Sequence, residues 1–449
     1  MYKWNRMSYK AILMKISSSI LSIFIIVFAC LLVDLNFKNW RKDEGVIVKE
    51  VNGNYGYLPA LLIFDDIKLE KSDYEYAHGK HWFSQVTYSN GKKDFGKTYG
   101  WAFLYSPFFY LAGKCALIFD YPTNGFSEPY RFFLLLGTLF YLVIGLDFIR
   151  KTLLYLGHGE LVTTITLLIL GLGTNLFAYS SYLAPMPMVV SFSLVSVFLY
   201  YSICWYRTEM AINILPVIIS LCLLSVVYLP NSIIAVFFVL YGINNLDEFR
   251  ERKINVGVLI SFVIVLLIFW IPQFKYWKIS TGTYLGLVDF NEHFDLLKPK
   301  FISLLFSFRN GWLVYSPLII FSLIGMYLMK SLKVAVFTYI LLSIYVASSW
   351  STWWYGDSIG QSSMVSTYAV LAIPLAVFIK FIFEKNIGIK LLFSIVVLSF
   401  FMLNAFQIFQ YDQGSLHPSK MTSTLYFKQF SKLKPIANYQ DFIFTEEKK

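Results

Sequence analysis

Charge is scarce in this 449-residue chain: Asp, Glu, Lys and Arg make up 14% of it, against about 25% in an ordinary soluble domain. Hydrophobic residues are 57%, mean hydropathy is +0.59, and apolar runs recur along the chain. Since about 20 apolar residues suffice to cross a bilayer, a soluble globular protein is excluded and a polytopic membrane protein is expected. Cysteine is also rare. The four cysteines, Cys30, Cys115, Cys204 and Cys222, all fall inside apolar runs, which excludes a disulfide framework or thiolate metal site and makes them small packing residues. His78 and His81 are spaced like metal ligands, but no third ligand lies close by, so no structural zinc is expected. A cleavable leader is not expected either, because the first apolar run continues through Cys30-Leu-Leu-Val33 without a small-residue cleavage site.

The net charge of +11 gathers at the ends of apolar segments, so it points to the membrane surface and not to nucleic acid. With Lys3, Arg6 and Lys10 ahead of a first span at Ala11 to Val33, the N-terminus is expected in the cytoplasm. The run Trp101 to Phe119 decides the rest. If it lies along the outer surface without crossing, Arg150, Lys151, Arg207, Arg250, Arg252, Lys253, Lys330, Lys333, Lys385 and Lys390 all fall at cytoplasmic ends. The further spans are then Arg131 to Phe148, Leu161 to Tyr179, Pro187 to Tyr206, Ala211 to Tyr228, Asn231 to Ile243, Val256 to Ile271, Trp312 to Met329, Lys333 to Ser349, Ser366 to Phe383 and Leu391 to Gln410. This reading gives roughly eleven membrane helices in one unit, residues 1–410, and an outer tail, 411–449. Asp147 has Arg150 and Lys151 one turn away and reads as a satisfied helix-end residue.

The largest polar interval, 34–98, lies outside in this topology. The other outer loops, including Ser180 to Met186, Pro272 to Gly311 and Trp350 to Gln361, gather on the same face. Polar residues crowded at one membrane boundary point to chemistry there. A transporter more often places them at mid-membrane.

Several stretches taken in order resemble a known superfamily: Gly53-x-Tyr55-x-Tyr57-Leu-Pro-Ala60, Gly125-Phe-Ser-x-Pro-Tyr130, Leu172-Gly-Thr-Asn-Leu-Phe177, Leu304-Leu-Phe-Ser-Phe-Arg-Asn-Gly-Trp312 with Tyr315-Ser-Pro317, Trp353-Trp-Tyr-Gly356 with Ser358-x-Gly-Gln361, and Gln407-x-x-Gln-Tyr411 with His417. Together they resemble the GT-C integral-membrane glycosyltransferases, in particular the mannosyltransferase-like group of Bacteroidetes. The resemblance implies an all-α, GT-C-like bundle in a bacterial cytoplasmic membrane. It also implies transfer of a sugar from a polyprenyl-phosphate carrier to an envelope glycan, lipid or protein acceptor, with inversion at the anomeric carbon.

On that resemblance Glu50 matches the general base, where the group usually has Asp, and Lys97 and Arg309 are the candidates for stabilising the departing phosphate. Tyr55, Tyr57, Trp353, Trp354, Tyr355, Gln361 and His417 become candidate lining residues. Each also has a structural reading: Lys97 and Arg309 as anchors reaching to headgroups, Trp353 and Trp354 as an interfacial aromatic belt. No cofactor is required by the sequence, though a divalent cation is compatible with the chemistry. Three positions depart from the group's pattern: Ser362 and Leu229 stand where Arg is usual, and Met188 where His is usual. These neutral residues keep a second reading open, a descendant of the fold that binds lipid or glycan without catalysis. A transporter or a polymerase of other lineage is a third.

Overall fold

A computed structural model of the chain describes residues 17–69, 75–76, 80–81, 86–87, 91–251, 256–285, 293–355 and 358–445, with the backbone alone at 49, 50, 75, 76, 80, 81, 86 and 246. The first helix, α1 (Ser18–Phe37), starts at Ser17, whose hydroxyl accepts the Ile20 N–H, and stops where Lys38 takes a left-handed φ of 50°. Its buried positions Ser19, Ile23, Ile26, Cys30 and Asp34 recur every three or four residues, while Leu21, Phe24, Phe28 and Leu32 on the other side are exposed. Bulky apolar residues outward and small or polar ones inward is the pattern a helix adopts when its surroundings are hydrocarbon. The helix therefore runs on to Phe37, and Asp34, the expected start of the first loop, belongs to its buried stripe.

The polar interval folds into two short helices, α2 (Lys49–Tyr55) and α3 (Tyr57–Leu62), and two small antiparallel hairpins, Glu75–Tyr76 with Lys80–His81 and Val86–Thr87 with Lys93–Asp94. After these comes α4 (Gly100–Ile118), then α5 (Glu128–Tyr155), α6 (Glu160–Gly173), α7 (Leu176–Ser180), α8 (Pro187–Thr208) and α9 (Ile214–Val227). A 3-10 turn, Leu229–Ile234, leads into α10 (Ala235–Leu240), followed by α11 (Leu246–Glu251), α12 (Val256–Ser280), α13 (Phe301–Phe306), α14 (Trp312–Tyr315), α15 (Ile319–Leu328) and α16 (Lys333–Ser348). A second 3-10 turn, Ser362–Thr367, opens α17 (Tyr368–Phe383), and α18 (Ile387–Asp412) and α19 (Ser423–Gln429) complete the chain.

Among the described residues seven helices are long and apolar enough to cross a membrane, α4 included, and five shorter apolar ones accompany them. With α4 set aside, these helices occupy the eleven segments the sequence delimits. The protein is an all-α polytopic membrane protein.

Close helix contacts depend on glycine. A Cβ on Gly325 of α15 would stand 2.0 Å from the Pro374 carbonyl oxygen of α17, and one on Gly145 of α5 would stand 2.6 Å from the Phe192 ring of α8. α4 runs antiparallel to the Glu128 half of α5: the Tyr105 and Thr138 hydroxyls are 2.9 Å apart, and the Tyr141 hydroxyl donates to the Leu104 carbonyl at 2.6 Å. At the other end of α5, Arg150 donates to the Ser19 hydroxyl at 2.8 Å, and that hydroxyl donates to Glu160 at 2.5 Å. Asp147 pairs with Arg150 at 3.4 Å and Lys151 at 2.7 Å, so it is a satisfied helix-end residue. That end of the bundle holds the turns after α5 and α8 and the connection that contains α11. The opposite end, the loop-rich face, carries the described parts of the 38–99 interval and of the 349–361 loop, the 181–186 loop and the folded tail.

Candidate functional site at the loop-rich face

Two buried polar nodes build this face. In the first, Asn175 at the start of α7 is fully buried. It accepts from the Tyr368 hydroxyl at 2.5 Å and the Ser316 hydroxyl at 3.2 Å, and its amide donates to the carbonyls of Ile359 and Gln361, both at 3.2 Å. In the second, the Asn310 amide donates to the Trp354 carbonyl at 2.7 Å and to the Ser358 hydroxyl and Pro418 carbonyl, both at 3.0 Å. Loop carbonyls buried beside apolar helices need such donors, since an unmet one costs about 1–3 kcal/mol. The 350–361 loop is thereby clamped from both sides.

Gln361 belongs to the same scaffold. It is fully buried and donates to the Trp353 carbonyl at 2.9 Å, while its own Oε1 is buried with no hydrogen-bond partner among the described residues. Trp353 is buried, Trp354 is half-buried, and Tyr355 between this loop and α9 takes a left-handed φ of 39° with its hydroxyl 3.3 Å from that of Tyr228. The Arg309 guanidinium carbon stands over Trp354, 3.5 Å from the ring centroid, and 4.9 Å from the ring centroid of Phe444 of the tail. Its Nε–H donates to the Ser419 carbonyl. His417 shapes the turn that presents this carbonyl, its Nδ1 accepting the N–H groups of Ser419 at 3.1 Å and Lys420 at 3.0 Å. Arg309 is therefore anchored by the tail.

The first loop is anchored by aromatics and one buried cation. Tyr55 is fully buried and donates to the Gly125 carbonyl; Tyr57 is buried and donates to the Lys97 carbonyl at 2.5 Å. Burial pushes the Tyr57 phenol well up from its usual value, with neighbouring Tyr276 adding to the effect, so it stays a proton donor. Arg131, buried at the start of α5, donates to the Trp40 carbonyl at 2.7 Å and to Asp43 at 3.0 Å. Lys97 itself is exposed. The backbone of Glu50 lies in the first turn of α2, its side chain being outside the described atoms, as is that of His81; His78 lies outside the described residues.

Two cavities open among these elements. A chamber of about 310 Å³ lies between the 39–51 segment and the 182–186 loop, with Lys42, Glu44, Val48, Val51, Tyr182 and Met186 in its walls. Glu50 sits on the chain between two wall residues, Val48 and Val51. Beyond Met186, a narrow cleft of about 10 Å³, room for one water molecule, lies at the loop ends of α8, α9 and α17. Met188, Ser191, Asn231, Ser362, Ser363 and Ser366 line it. The hydroxyls of Ser191 and Ser363 are buried without a hydrogen-bond partner among the described residues. Two of the three departures, Met188 and Ser362, thus meet in one neutral cleft, while the third, Leu229, is 58% exposed and does not line it.

Lys97 and Arg309 line neither cavity. They stand on the same face all the same. Thr98 beside Lys97 donates to the Val226 carbonyl at 2.6 Å, and Tyr228, two residues on, reaches Tyr355, next to the Trp354 that carries Arg309. No three His, Cys, Asp or Glu side chains come together as a metal site among the described residues.

The sequence reading did not single out Asn175, Asn310 or Arg131 for the site.

The architecture has a solved counterpart. The crystal structure of the Archaeoglobus fulgidus oligosaccharyltransferase in its apo form matches over 97% of this chain, with a TM-score of 0.51 and 12% identity. The fold is GT-C-like. The chain spans 62% of the length of that enzyme. No family model matches the sequence, and no curated protein is detectably similar to it in sequence.

Proposed function

We propose that this GT-C-like protein transfers a sugar from a polyprenyl-phosphate carrier to an acceptor hydroxyl at the outer face of a bacterial cytoplasmic membrane, the loop-rich face being periplasmic and the N-terminus cytoplasmic. The observation that carries this reading is the 310 Å³ chamber at the loop-rich face, walled by the residues on either side of Glu50. In the reaction Glu50 takes the acceptor proton, the acceptor oxygen attacks the anomeric carbon from the face opposite the phosphate, and the carbon–oxygen bond to the carrier breaks, releasing polyprenyl phosphate. Lys97 and Arg309, at the rim of the same face, supply positive charge for the leaving phosphate. α4, flanking the outer half of α5, lies at the periplasmic boundary in this orientation.

A second reading, a lipid- or glycan-binding descendant without catalysis, is favoured by one observation: Arg309 is stacked and hydrogen-bonded by the tail while the cleft beside the chamber is neutral. The test is transfer from polyprenyl-phosphate sugars in nanodiscs. Glu50→Gln keeps size and hydrogen bonding but accepts no proton, so activity should fall by roughly 10² to 10⁴-fold with unchanged thermal stability. Full activity in Glu50→Gln removes Glu50 from the mechanism. An inactive wild type with every donor tried leaves the binding reading.

A further inference from the structure

At the end of the bundle away from the loop-rich face, α8, α9, α10 and α12 enclose an apolar cavity of about 350 Å³. Phe198, Leu221, Phe238, Leu259 and Phe262 form its walls, and Trp205 and Tyr206, near the end of α8, mark its depth. The gap follows from how α12 is held. Only 6% of the apolar stretch of this helix is buried, and it packs chiefly on α9. Its attachments cluster toward the loop-rich face: Trp270 donates to the Ser225 hydroxyl at 2.9 Å, the Phe269 carbonyl accepts from the Tyr99 hydroxyl at 2.7 Å, and Gln273 accepts the Tyr99 N–H at 2.9 Å. On the other side of the gap α10 is fixed to α8, Tyr206 stacking on Tyr241 at 4.6 Å and donating to the Phe238 carbonyl at 2.8 Å. Nearer the groove the Cys222 thiol of α9 stands 3.9 Å from the Phe262 carbonyl of α12.

An apolar cavity of this size inside a bilayer is unsuited to water, which needs two to four polar partners. The outer surface of α12, with Leu259, Ile260, Val263, Ile264 and Leu267 exposed, places hydrocarbon at its mouth. We propose that the groove is a site for one acyl chain of a resident membrane phospholipid, drawn from the leaflet away from the loop-rich face. Trp205 and Tyr206 put the groove at the far end of α8, while a carrier whose phosphate is used at the loop-rich face belongs to the other leaflet. The bound chain fills the space between α12 and α10 and so supports one helix against the other.

The site reaches the first loop through α12. Its buried Gln273 and Tyr276 accept the N–H groups of Tyr99 and Phe95, the residues on either side of Lys97. An empty groove removes that support from the helix that carries the contacts to Phe95 and Tyr99.

Native mass spectrometry of the full chain after repeated detergent exchange reads this directly. The wild type should retain one phospholipid per chain. Leu221→Trp, which fills the groove, should retain none, and Leu267→Trp, on the exposed side of α12, should behave as wild type. Enzymatic or detergent delipidation should lower the melting temperature of wild type and leave Leu221→Trp unmoved. Val239→Trp provides the same test from the α10 wall should Leu221→Trp fail to fold. Loss of all lipid from the wild type without a change in melting temperature overturns the proposal. So does equal retention by both groove-filling variants, or a retained mass that is a polyprenyl phosphate.

Discussion

Replacing Asn175 by alanine removes four side-chain hydrogen bonds at once: two accepted from Tyr368 and Ser316, two donated to the carbonyls of Ile359 and Gln361. Interhelical hydrogen bonds in a membrane protein average about 0.6 kcal/mol each, because the unfolded chain in the membrane also finds partners. Four such bonds give roughly 2.4 kcal/mol. Two of the abandoned groups are carbonyls of a buried loop, and orphaning a buried acceptor raises its cost toward about 1–3 kcal/mol, so the expected loss is roughly 3–4 kcal/mol. Asn175→Asp keeps the acceptors and loses the two donors, so it should destabilise almost as much. The assay is reversible denaturant unfolding in mixed micelles, with tryptophan fluorescence as a second probe because Trp353 and Trp354 ride on the released loop. A loss below about 1 kcal/mol for Asn175→Ala, with unchanged fluorescence, would refute the view that this node clamps the 350–361 loop.

Arg309→Ala should free the tail, seen as faster limited proteolysis between 413 and 445; Arg309→Lys should rescue little, since an ammonium lacks the planar face that lies on Trp354. Gly325→Ala puts a Cβ 2.0 Å from the Pro374 backbone oxygen and should cost about 1–3 kcal/mol by overpacking, measured by the same unfolding assay. His158, half-buried in the turn between α5 and α6, has its pKa lowered by burial first and by the charge of Lys380 second. The unfolded chain therefore binds this proton more readily than the folded one. Stability should be full above the ordinary imidazole pKa and fall as pH drops through the lower folded value. Melting curves from pH 7.5 to 5 should show the decline in wild type and a flatter profile in His158→Asn.

The eleven apolar segments were legible because each announces itself locally, by twenty or so apolar residues or by shorter runs ended by a basic cluster. The break at Leu229-Pro230 was legible for the same reason: proline cannot donate to the helix ladder, and the chain answers with a 3-10 turn at that point. The contacts that shape the site are of another kind. Asn175 meets residues more than 140 positions away, and Arg309 meets a tail turn 110 positions away. No periodicity encodes such a pairing. The aromatic residues of the first loop illustrate the limit: Tyr55 and Tyr57 stand in one short motif as lining candidates, and only the tertiary structure shows both rings buried and both hydroxyls engaged by carbonyls of distant segments.

The chemistry of the cleft narrows where an anion could sit on the loop-rich face. A phosphate moved out of water needs charged partners or several strong donors, because its desolvation cost in a low-dielectric site is large. The described side chains lining the cleft between Met188 and Ser366 offer serine hydroxyls, the Tyr228 phenol and one amide, with no cation among them. One of those serines, Ser366, already donates to Asn231 at 3.0 Å. Hydroxyls of this kind can satisfy one water or one hydroxyl group, and they bring no charge to offset that of a phosphate. Positive charge on this face lies outside the cleft, at Lys42 in the chamber wall, at exposed Lys97 and at Arg309 on its tryptophan. In the proposed reading a lipid-linked sugar would therefore place its ring in the 310 Å³ chamber and its phosphate toward Lys97 and Arg309 at the rim, outside the one-water cleft. Of the two, Lys97 is the side chain that can move to meet the phosphate, since Arg309 must first give up its place on Trp354 and its bond to Ser419.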